Sequence, residues 1–306
     1  MKLTERFAKE LGKSRDEVED FLYNAPEKYK VYRIPKRKHG FRLIAQPSRE
    51  LKCYQRKFMS IISLPIHDAA MAYRQGKSIK DNALKHSGQS YLLKLDLENF
   101  FNSITPKLFW DIWALSGNLP SEDERNWLNR LLFWYKDGSL VLSVGAPSSP
   151  LVSNFCMYYF DEVLSDYCKS QGIIYTRYAD DLTFSTNSRN VLFSLPEYVQ
   201  KLLIDHFSDN LSINQSKTAF SSKAHNRHVT GITITNDGCL SLGRARKRYI
   251  KHKIHQFQLD NLDAYEVQHL KGLLSFAKYI EPKFYTSLRD KYTSALLKNI
   301  FEVKDE

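Results

Sequence analysis

The stretch "RYADDLTFS", residues 177–185, sets two carboxylates, Asp180 and Asp181, side by side between segments that otherwise read as β-strand. Aspartate is depleted within strands and favoured at turns, so the pattern predicts a hairpin with a polar tip. A polar tip accounts for one aspartate and leaves the second, and Tyr178 before it, without a reason. The reading therefore turns on whether the chain supplies a third carboxylate in a similar setting. "SYLLKLDLENFF", residues 90–101, does so, because its leucine-rich strand runs directly into Asp96. If these strands neighbour one another in one antiparallel sheet, Asp96, Asp180 and Asp181 converge at its edge. Three carboxylates that close raise one another's pKa unless cations neutralise them. Two Mg²⁺ ions roughly 4 Å apart would do so, activating an attacking hydroxyl and steadying a leaving oxygen in nucleotidyl transfer. On spacing alone the alternative stays equally open, with Asp96 capping a loop and the pair decorating a turn.

Outward from this centre, positions 2–12 and 15–23 predict two short helices. The second opens with Ser14 and Glu17 at capping-box spacing and buries Val18, Phe21 and Leu22. "YKVYRIP" and "GFRLIAQP" flank the basic turn "KRKH" and predict a hairpin with a positive tip. Leu51, Tyr54, Phe58, Ile61 and Ile62 have helical spacing, to be broken or kinked at Pro65. Helical segments are expected over about 106–136, then a short strand at "SLVLSV". A helix follows with Ser149 as N-cap, Pro150 just inside it and one apolar stripe of Val152, Phe155, Tyr159 and Val163. After the "YADD" hairpin come a helix near 189–208 and the pieces "LSINQSKTAF" and "HVTGITI". Beyond Gly243 the chain is helical again. There "RARKRYIKHKIHQF" puts Ile250, Ile254 and Phe257 on one face and cations over most of the rest.

The 306 residues, 42% hydrophobic and 26% charged, have the composition of a globular chain long enough for two or more packed subdomains. With 45 Lys plus Arg against 34 Asp plus Glu the net charge is +11, which favours a polyanionic partner. The opening "MKLTERFAKELG" has no apolar core, so neither a signal peptide nor an anchor is expected, and no run approaches the roughly 20 apolar residues of a membrane helix. Cys53, Cys156, Cys168 and Cys239 form no CxxC pair and have no histidine at zinc-ligand spacing. The expectation is a reducing cytoplasm with all four thiols serving as packing groups. No repeat, low-complexity tract or long linker separates the parts.

"YADD" at 178–181 resembles the Tyr-x-Asp-Asp box of reverse transcriptases, and "LDLENFF" at 95–101 resembles the companion box that supplies the other metal-binding aspartate. "GAPSSP" at 145–150 is similar to the template and nucleotide-positioning box, and "INQSKT" at 213–218 to the box whose lysine, here Lys217, lies near the triphosphate. Four boxes in order across about 200 residues are strongly specific. The resemblance narrows to retron reverse transcriptases. "NALKH" at 82–86 fits their Asn-Ala-x-x-His element, "VTG" at 229–231 fits their other hallmark triplet, and "KHGFRLIAQPSRELK" resembles their finger region. The family usually has Gln where Val144 stands and Asp where Asn99 stands.

The resemblance implies an α+β right-hand polymerase. Its parts would be an N-terminal helical region (1–28), fingers (29–90), a palm of antiparallel sheet plus helices (91–242, with a helical insert at about 106–140) and a helical thumb (243–306). Asp96, Asp180 and Asp181 would be the catalytic, metal-binding carboxylates for two Mg²⁺ ions. Arg42, helped by Lys38 and its neighbours, would grip the triphosphate. Phe101 would be the steric gate against a ribose 2′-hydroxyl, Gly145 and Ala146 would let backbone approach the substrate, and Lys217 would assist pyrophosphate departure. Asn82, Ala83, His86, Val229, Thr230 and Gly231 would recognise RNA. Arg244, Arg246, Lys247, Arg248 and Lys251 would face nucleic acid along the thumb, although a solvated basic face gives the same pattern. The implied partners are a cognate noncoding RNA, its branched DNA product primed from an RNA 2′-hydroxyl, deoxynucleoside triphosphates and an effector protein in anti-phage defence, with no membrane. A group II intron-like enzyme using a 3′-hydroxyl primer, expected to extend past the thumb, is one alternative. A nucleic-acid-binding scaffold restraining an effector is another, and a metal-dependent nuclease would leave "GAPSSP" and Phe101 unexplained.

Overall fold

The computed structural model describes residues 2–36 and 40–303. Its first elements are α1 (Leu3–Leu11), α2 (Arg15–Tyr23), β1 (Tyr29–Pro35), β2 (Phe41–Pro47), α3 (Arg49–Ile61), α4 (Ile79–Lys85) and β3 (Tyr91–Asp96). Then come α5 (Pro106–Ser116), α6 (Glu122–Leu132), β4 (Phe133–Lys136), β5 (Ser139–Leu142), α7 (Ser149–Cys156), α8 (Tyr158–Ser170), β6 (Ile174–Tyr178) and β7 (Asp181–Thr186). The chain continues with α9 (Leu195–Phe207), β8 (Ala219–Ser222), β9 (Arg227–Val229), β10 (Ile232–Ile234) and β11 (Leu240–Ser241). It closes with α10 (Arg244–Gln258), α11 (Ala264–Ile280), α12 (Pro282–Tyr292) and α13 (Ser294–Glu302). The strands make two hairpins, β1–β2 and β4–β5, a three-stranded sheet ordered β11-β10-β9 and a four-stranded sheet ordered β6-β7-β3-β8.

Local chemistry accounts for most of these boundaries. Ser14 accepts from the Glu17 N–H while the Glu17 carboxylate accepts from the Ser14 N–H, closing the capping box of α2. Helix α3 stops at Ile61, short of Pro65, because Ile62 has already turned to extended backbone. The helix expected up to residue 136 stops at Leu132. Phe133 and Trp134 instead enter β4, paired with β5 across Asp137 and Gly138, both at positive φ. Asp-Gly is the pair that such a two-residue hairpin turn favours.

The single helix read from Ser149 is two. α7 begins at Ser149 itself, with Ser148 before it in helical backbone and no side-chain cap. Met157 then breaks the helix, and α8 turns Phe160, Asp161, Leu164 and Cys168 inward. Tyr159 and Val163 therefore leave the predicted stripe, Val163 being exposed. Cys156 and Cys168 are packing groups, and burial pushes the Cys168 thiol up to about 12. Cys53 and Cys239 are exposed, contrary to the packing expectation.

The chain divides into two compact units. One holds residues up to Gly76 with Leu93–Phe184 and Arg189–Ala219; the other holds Lys77–Leu92, Ser185–Ser188 and the chain from Phe220 onward. These limits differ from 29–90, 91–242 and 243–306. In the first unit Phe109 meets Trp110, Trp113, Phe133 and Phe155 at ring separations of 4.7, 5.4, 6.1 and 5.6 Å. In the second, Ala83, Leu92, Val229, Ile232 and Ile234 share one core with Ile250, Ile254, Leu270 and Leu274. That shared core is why residues 77–92 and 220–242 belong with the C-terminal helices. Among the described residues no helix is long and apolar enough to cross a membrane.

Candidate active site

β6 and β7 form a hairpin whose two-residue turn is Ala179–Asp180. Ala179 takes φ 58°, a left-handed conformation that costs a residue with a Cβ about 1–2 kcal/mol. The neighbouring side chain of Arg177 offsets this cost by donating from Nη1 to the Ala179 carbonyl at 3.1 Å. Arg177 is fully buried. Its Nε and Nη2 bind Asp161 of α8 at 2.9 and 2.6 Å, and Nη1 also reaches Asn154 Oδ1 at 3.2 Å. Tyr175 donates to the same Asp161 carboxylate at 2.7 Å. Every charge in this set is met, as a buried ion pair requires. The sequence reading passed over Arg177, Asp161 and Asn154. The signal available was an arginine and an aspartate placed among otherwise apolar, inward-facing positions.

The backbone brings the third aspartate to the turn. Leu97 N–H donates to the Asp180 carbonyl at 2.9 Å, and Asn214 N–H donates to the Asp96 carbonyl at 2.8 Å. β3 and β7 are hydrogen-bonded neighbours, as the carboxylate argument required. Asp96 is buried, with Lys217 Nζ on its Oδ1 at 2.6 Å. Burial, followed by the charge of Asp96, raises the Asp180 carboxyl, while Lys217 and Arg42 act in the opposite sense. Partial burial, then the charges of Asp180 and Asp96, push Asp181 up to about 6, although its outer edge meets solvent. Lys94 of β3, which the sequence reading did not single out, opposes that rise.

Among the described residues no three His, Cys, Asp or Glu side chains are gathered as a finished metal cage. Mg²⁺ rarely uses one; it takes one or two protein carboxylates, waters and substrate phosphates. Asp96, buried, and Asp180, half-buried, repel one another and fit that donor set, and their shared charge is what a divalent cation would relieve.

Around the carboxylates the remaining predicted residues fall into place unevenly. Arg42, on β2 opposite Ile34, is exposed and close enough to act electrostatically on Asp180 and on Tyr73. Lys38 lies outside the described residues. Phe101 is half-buried, edge-on to Phe100 at 5.3 Å and to Tyr73 at 6.5 Å. Tyr73 is half-exposed at φ 59°, and its phenol is raised by burial first and then by Asp180. Tyr73, at positive φ against Phe101 and within electrostatic reach of Asp180, belongs to no motif read from the sequence. Gly145 takes φ 128°, and a Cβ there would sit 3.3 Å from the Ala45 carbonyl oxygen, so its smallness serves the seating of β2. Ala146 is buried. Val144 holds β2 by its backbone, accepting from Ala45 N–H at 3.2 Å. Asn99 occupies φ 45°, a conformation asparagine and aspartate both tolerate.

The second unit joins the other motifs. Asn82, Ala83 and His86 are fully buried, and the His86 ring bonds Ser185 Oγ at 2.6 Å. Burial takes these three side chains off the surface. Val229 ends β9, and Thr230 and Gly231 make the turn to β10, both at positive φ. Thr230 Oγ1 donates to the Ile79 carbonyl at 3.1 Å, so the two motifs belong to one packed body. On α10, Lys247 pairs with Glu281 at 2.5 Å and Arg246 lies over the Phe276 ring at 5.2 Å. Arg244, Arg248 and Lys251 are exposed on one stripe and make no ion pair among the described residues.

The reverse transcriptase (RNA-dependent DNA polymerase) family matches residues 34–234. The Retron Ec83 reverse transcriptase of Escherichia coli is 50% identical over 278 residues, 89% of this chain and 89% of that protein. The Retron Ec86 reverse transcriptase of Escherichia coli is 31% identical, covering 87% of this chain and 81% of its own length. Among solved structures, a foamy viral protease-reverse transcriptase with double-stranded DNA gives a TM-score of 0.47 at 18% identity, and this chain spans 43% of it, a likeness too slight to weigh. The two retron relatives cover 89% and 87% of this chain, and on that ground the chain belongs to the retron reverse transcriptases and is an RNA-directed DNA polymerase.

Proposed function

We propose that the chain copies part of a cognate structured noncoding RNA into DNA, starting from an RNA 2′-hydroxyl and leaving a branched RNA–DNA product. Reverse transcriptases work with divalent metal ions; here two Mg²⁺ ions would be held by Asp96 and Asp180, with Asp181 completing the cluster. The observation that supports this most is the mutual approach of those carboxylates beside Lys217 and Arg42 in one compact unit. When bound, the ions supply an activated hydroxyl and charge neutralisation at the leaving oxygen.

The protein's own groups do the rest. Lys217, 2.6 Å from Asp96 Oδ1, would neutralise or protonate the leaving phosphate. Arg42 grips the triphosphate through its planar guanidinium. Phe101, backed by Phe100 and flanked by Tyr73, excludes a ribose 2′-hydroxyl. Asn82, Ala83, His86, Val229, Thr230 and Gly231 act on RNA through the surface they support, while Arg244, Arg248 and Lys251 meet its phosphates. The product serves anti-phage defence together with an effector protein.

The test is to express the chain with the noncoding RNA of its own locus and to look for DNA that stays joined to RNA until a debranching enzyme is added. An Asp180→Asn, Asp181→Asn variant runs alongside. Branched DNA in the parent and none in the variant is the expected result. DNA made only from an added 3′-hydroxyl primer would sink the 2′-primed reading, and RNA copurifying without any DNA would favour a scaffold.

A further inference from the structure

A second cationic feature lies in the first unit, built by residues to which no role has been assigned so far. A cleft of about 670 Å³ opens between the start of β1, the end of β2 and the first turns of α3. One wall carries Lys28 and Lys30; the other carries Arg49, Lys52 and Arg56. On α3 those three stand at i, i+3 and i+7, one helical face, opposite the face that buries Leu51, Tyr54 and Phe58. Glu27 is the only carboxylate in the lining. None of the five cations forms an ion pair among the described residues, whereas Lys13 and Lys57 nearby are paired with Glu50 and Glu10.

The walls are held rigidly. Ser48 N–H donates to the Lys28 carbonyl at 2.8 Å, tying the end of β2 to the start of β1, and Ser48 Oγ caps α3 by accepting from Leu51 N–H. Gln55 donates from Nε2 to Tyr29 Oη and to the Leu131 carbonyl, both at 3.0 Å. Tyr29, the one aromatic residue in the lining, therefore has its hydroxyl tied inward, and its ring lies 6.0 Å from Trp134. Proteins that hold single strands stack bases on exposed aromatic rings, whereas duplex RNA is read through backbone and shape. Opposed cationic walls without a free aromatic face match a duplex backbone.

We propose that this cleft is a docking surface for the phosphodiester backbone of a double-stranded stem of RNA, separate from the carboxylate centre. The proposal rests on the reading above that the enzyme holds a structured RNA. It anchors that RNA while Asp96, Asp180 and Asp181 act on a different part of it.

The test compares the full chain with Arg49→Glu, Lys52→Glu, Arg56→Glu and with the corresponding triple Gln variant. All three positions lie at or near the surface, and equal melting temperatures check that the fold is intact. Binding of a hairpin-stem RNA and of a single-stranded RNA of equal length is measured against salt, alongside DNA synthesis on a generic primed template. The expected result is at least a tenfold loss of stem affinity for the Glu variant and a smaller loss for the Gln variant. The log–log salt slope should fall by about two to three, one phosphate contact per cation removed, with generic synthesis within about twofold of the parent. Unchanged stem affinity and slope would leave the cleft a solvated face and overturn the proposal. A loss confined to the single strand would overturn the duplex assignment, and an equal loss of generic synthesis would make the cleft part of the template path. A parent that makes no DNA from its own RNA would instead overturn the function proposed above, which keeps the two failures distinct.

Discussion

Arg177 is the residue that explains why "RYADD" begins where it does. Its guanidinium is committed on one side to Asp161 and on the other to the carbonyl of Ala179, the strained residue next to Asp180. Asp161→Ala leaves that guanidinium buried without a partner and should cost about 3–5 kcal/mol in denaturant unfolding. The double change Asp161→Asn, Arg177→Gln removes both charges and should cost far less. It should still lower kcat for deoxynucleotide addition about tenfold with KM little changed, because nothing then holds the turn. Adding Ala179→Gly, which adopts positive φ without strain, should recover part of kcat; no recovery would mean that Arg177 serves packing alone. At the same scale, Phe101→Val should admit ribonucleotides with little loss of stability, since the ring is half-buried and rests on Phe100 and Tyr73. Primer extension with ribonucleoside triphosphates measures this, and continued exclusion would remove Phe101 as the gate. Asp96, Asp180 and Asp181 were legible as a set through the boxes that carry them, since spacing alone left a turn-decorating role equally open. Tyr73 and Asp161 were not, because their roles depend on partners 107 and 16 positions away, at Asp180 and Arg177.

Among the elements, the hairpins were the easiest to foresee and the helix breaks the hardest. β1 and β2 pair from Tyr29↔Pro47 to Pro35↔Phe41, as two strand-like runs on either side of a basic turn suggested. The Asp137–Gly138 turn carried an equally plain signal, obscured by the helical look of the aromatic run before it. The break at Met157 has no proline or glycine to mark it, and the helix that follows it carries Asp161 to Arg177. Two substitutions probe how the elements hold one another. Gly145→Ala places a methyl 3.3 Å from the Ala45 carbonyl oxygen at φ 128° and should destabilise the fold by roughly 1–3 kcal/mol. A thermal melt checks it, and an unchanged Tm would show that β2 tolerates the shift. Thr230→Val removes the hydroxyl that donates to the Ile79 carbonyl and should cost about 1 kcal/mol. Hydrogen exchange should quicken first in α4; uniform quickening throughout would argue against a local link.

At the scale of the whole molecule, stability should fall in mild acid. Burial lowers the His86 imidazole from 6.5 to about 3. The unfolded chain therefore takes up a proton below about pH 6.5 that the folded chain refuses. Stability from this group is present in full above that pH and declines at up to about 1.4 kcal/mol per unit as the pH falls towards 3. Melting temperature measured from pH 7.5 to 5 should drop more steeply for the parent than for His86→Asn, which is less stable at pH 7.5 but lacks the titrating group. Parallel curves would mean that His86 is charged or accessible in the folded chain.

By itself the sequence determined the polymerase boxes, the family, the basic balance and the identity of the three aspartates, since each is carried by residue type and order along the chain. Only the tertiary structure decided that residues 77–92 and 220–242 share a core with the C-terminal helices. It likewise buried Asn82 and His86, and it paired Lys247 with Glu281 while leaving Arg248 exposed. The physical reason is common to these cases. Spacing along the chain reports the period of an element, whereas burial and charge neutralisation depend on which distant side chain arrives opposite, and that is set only when the elements pack.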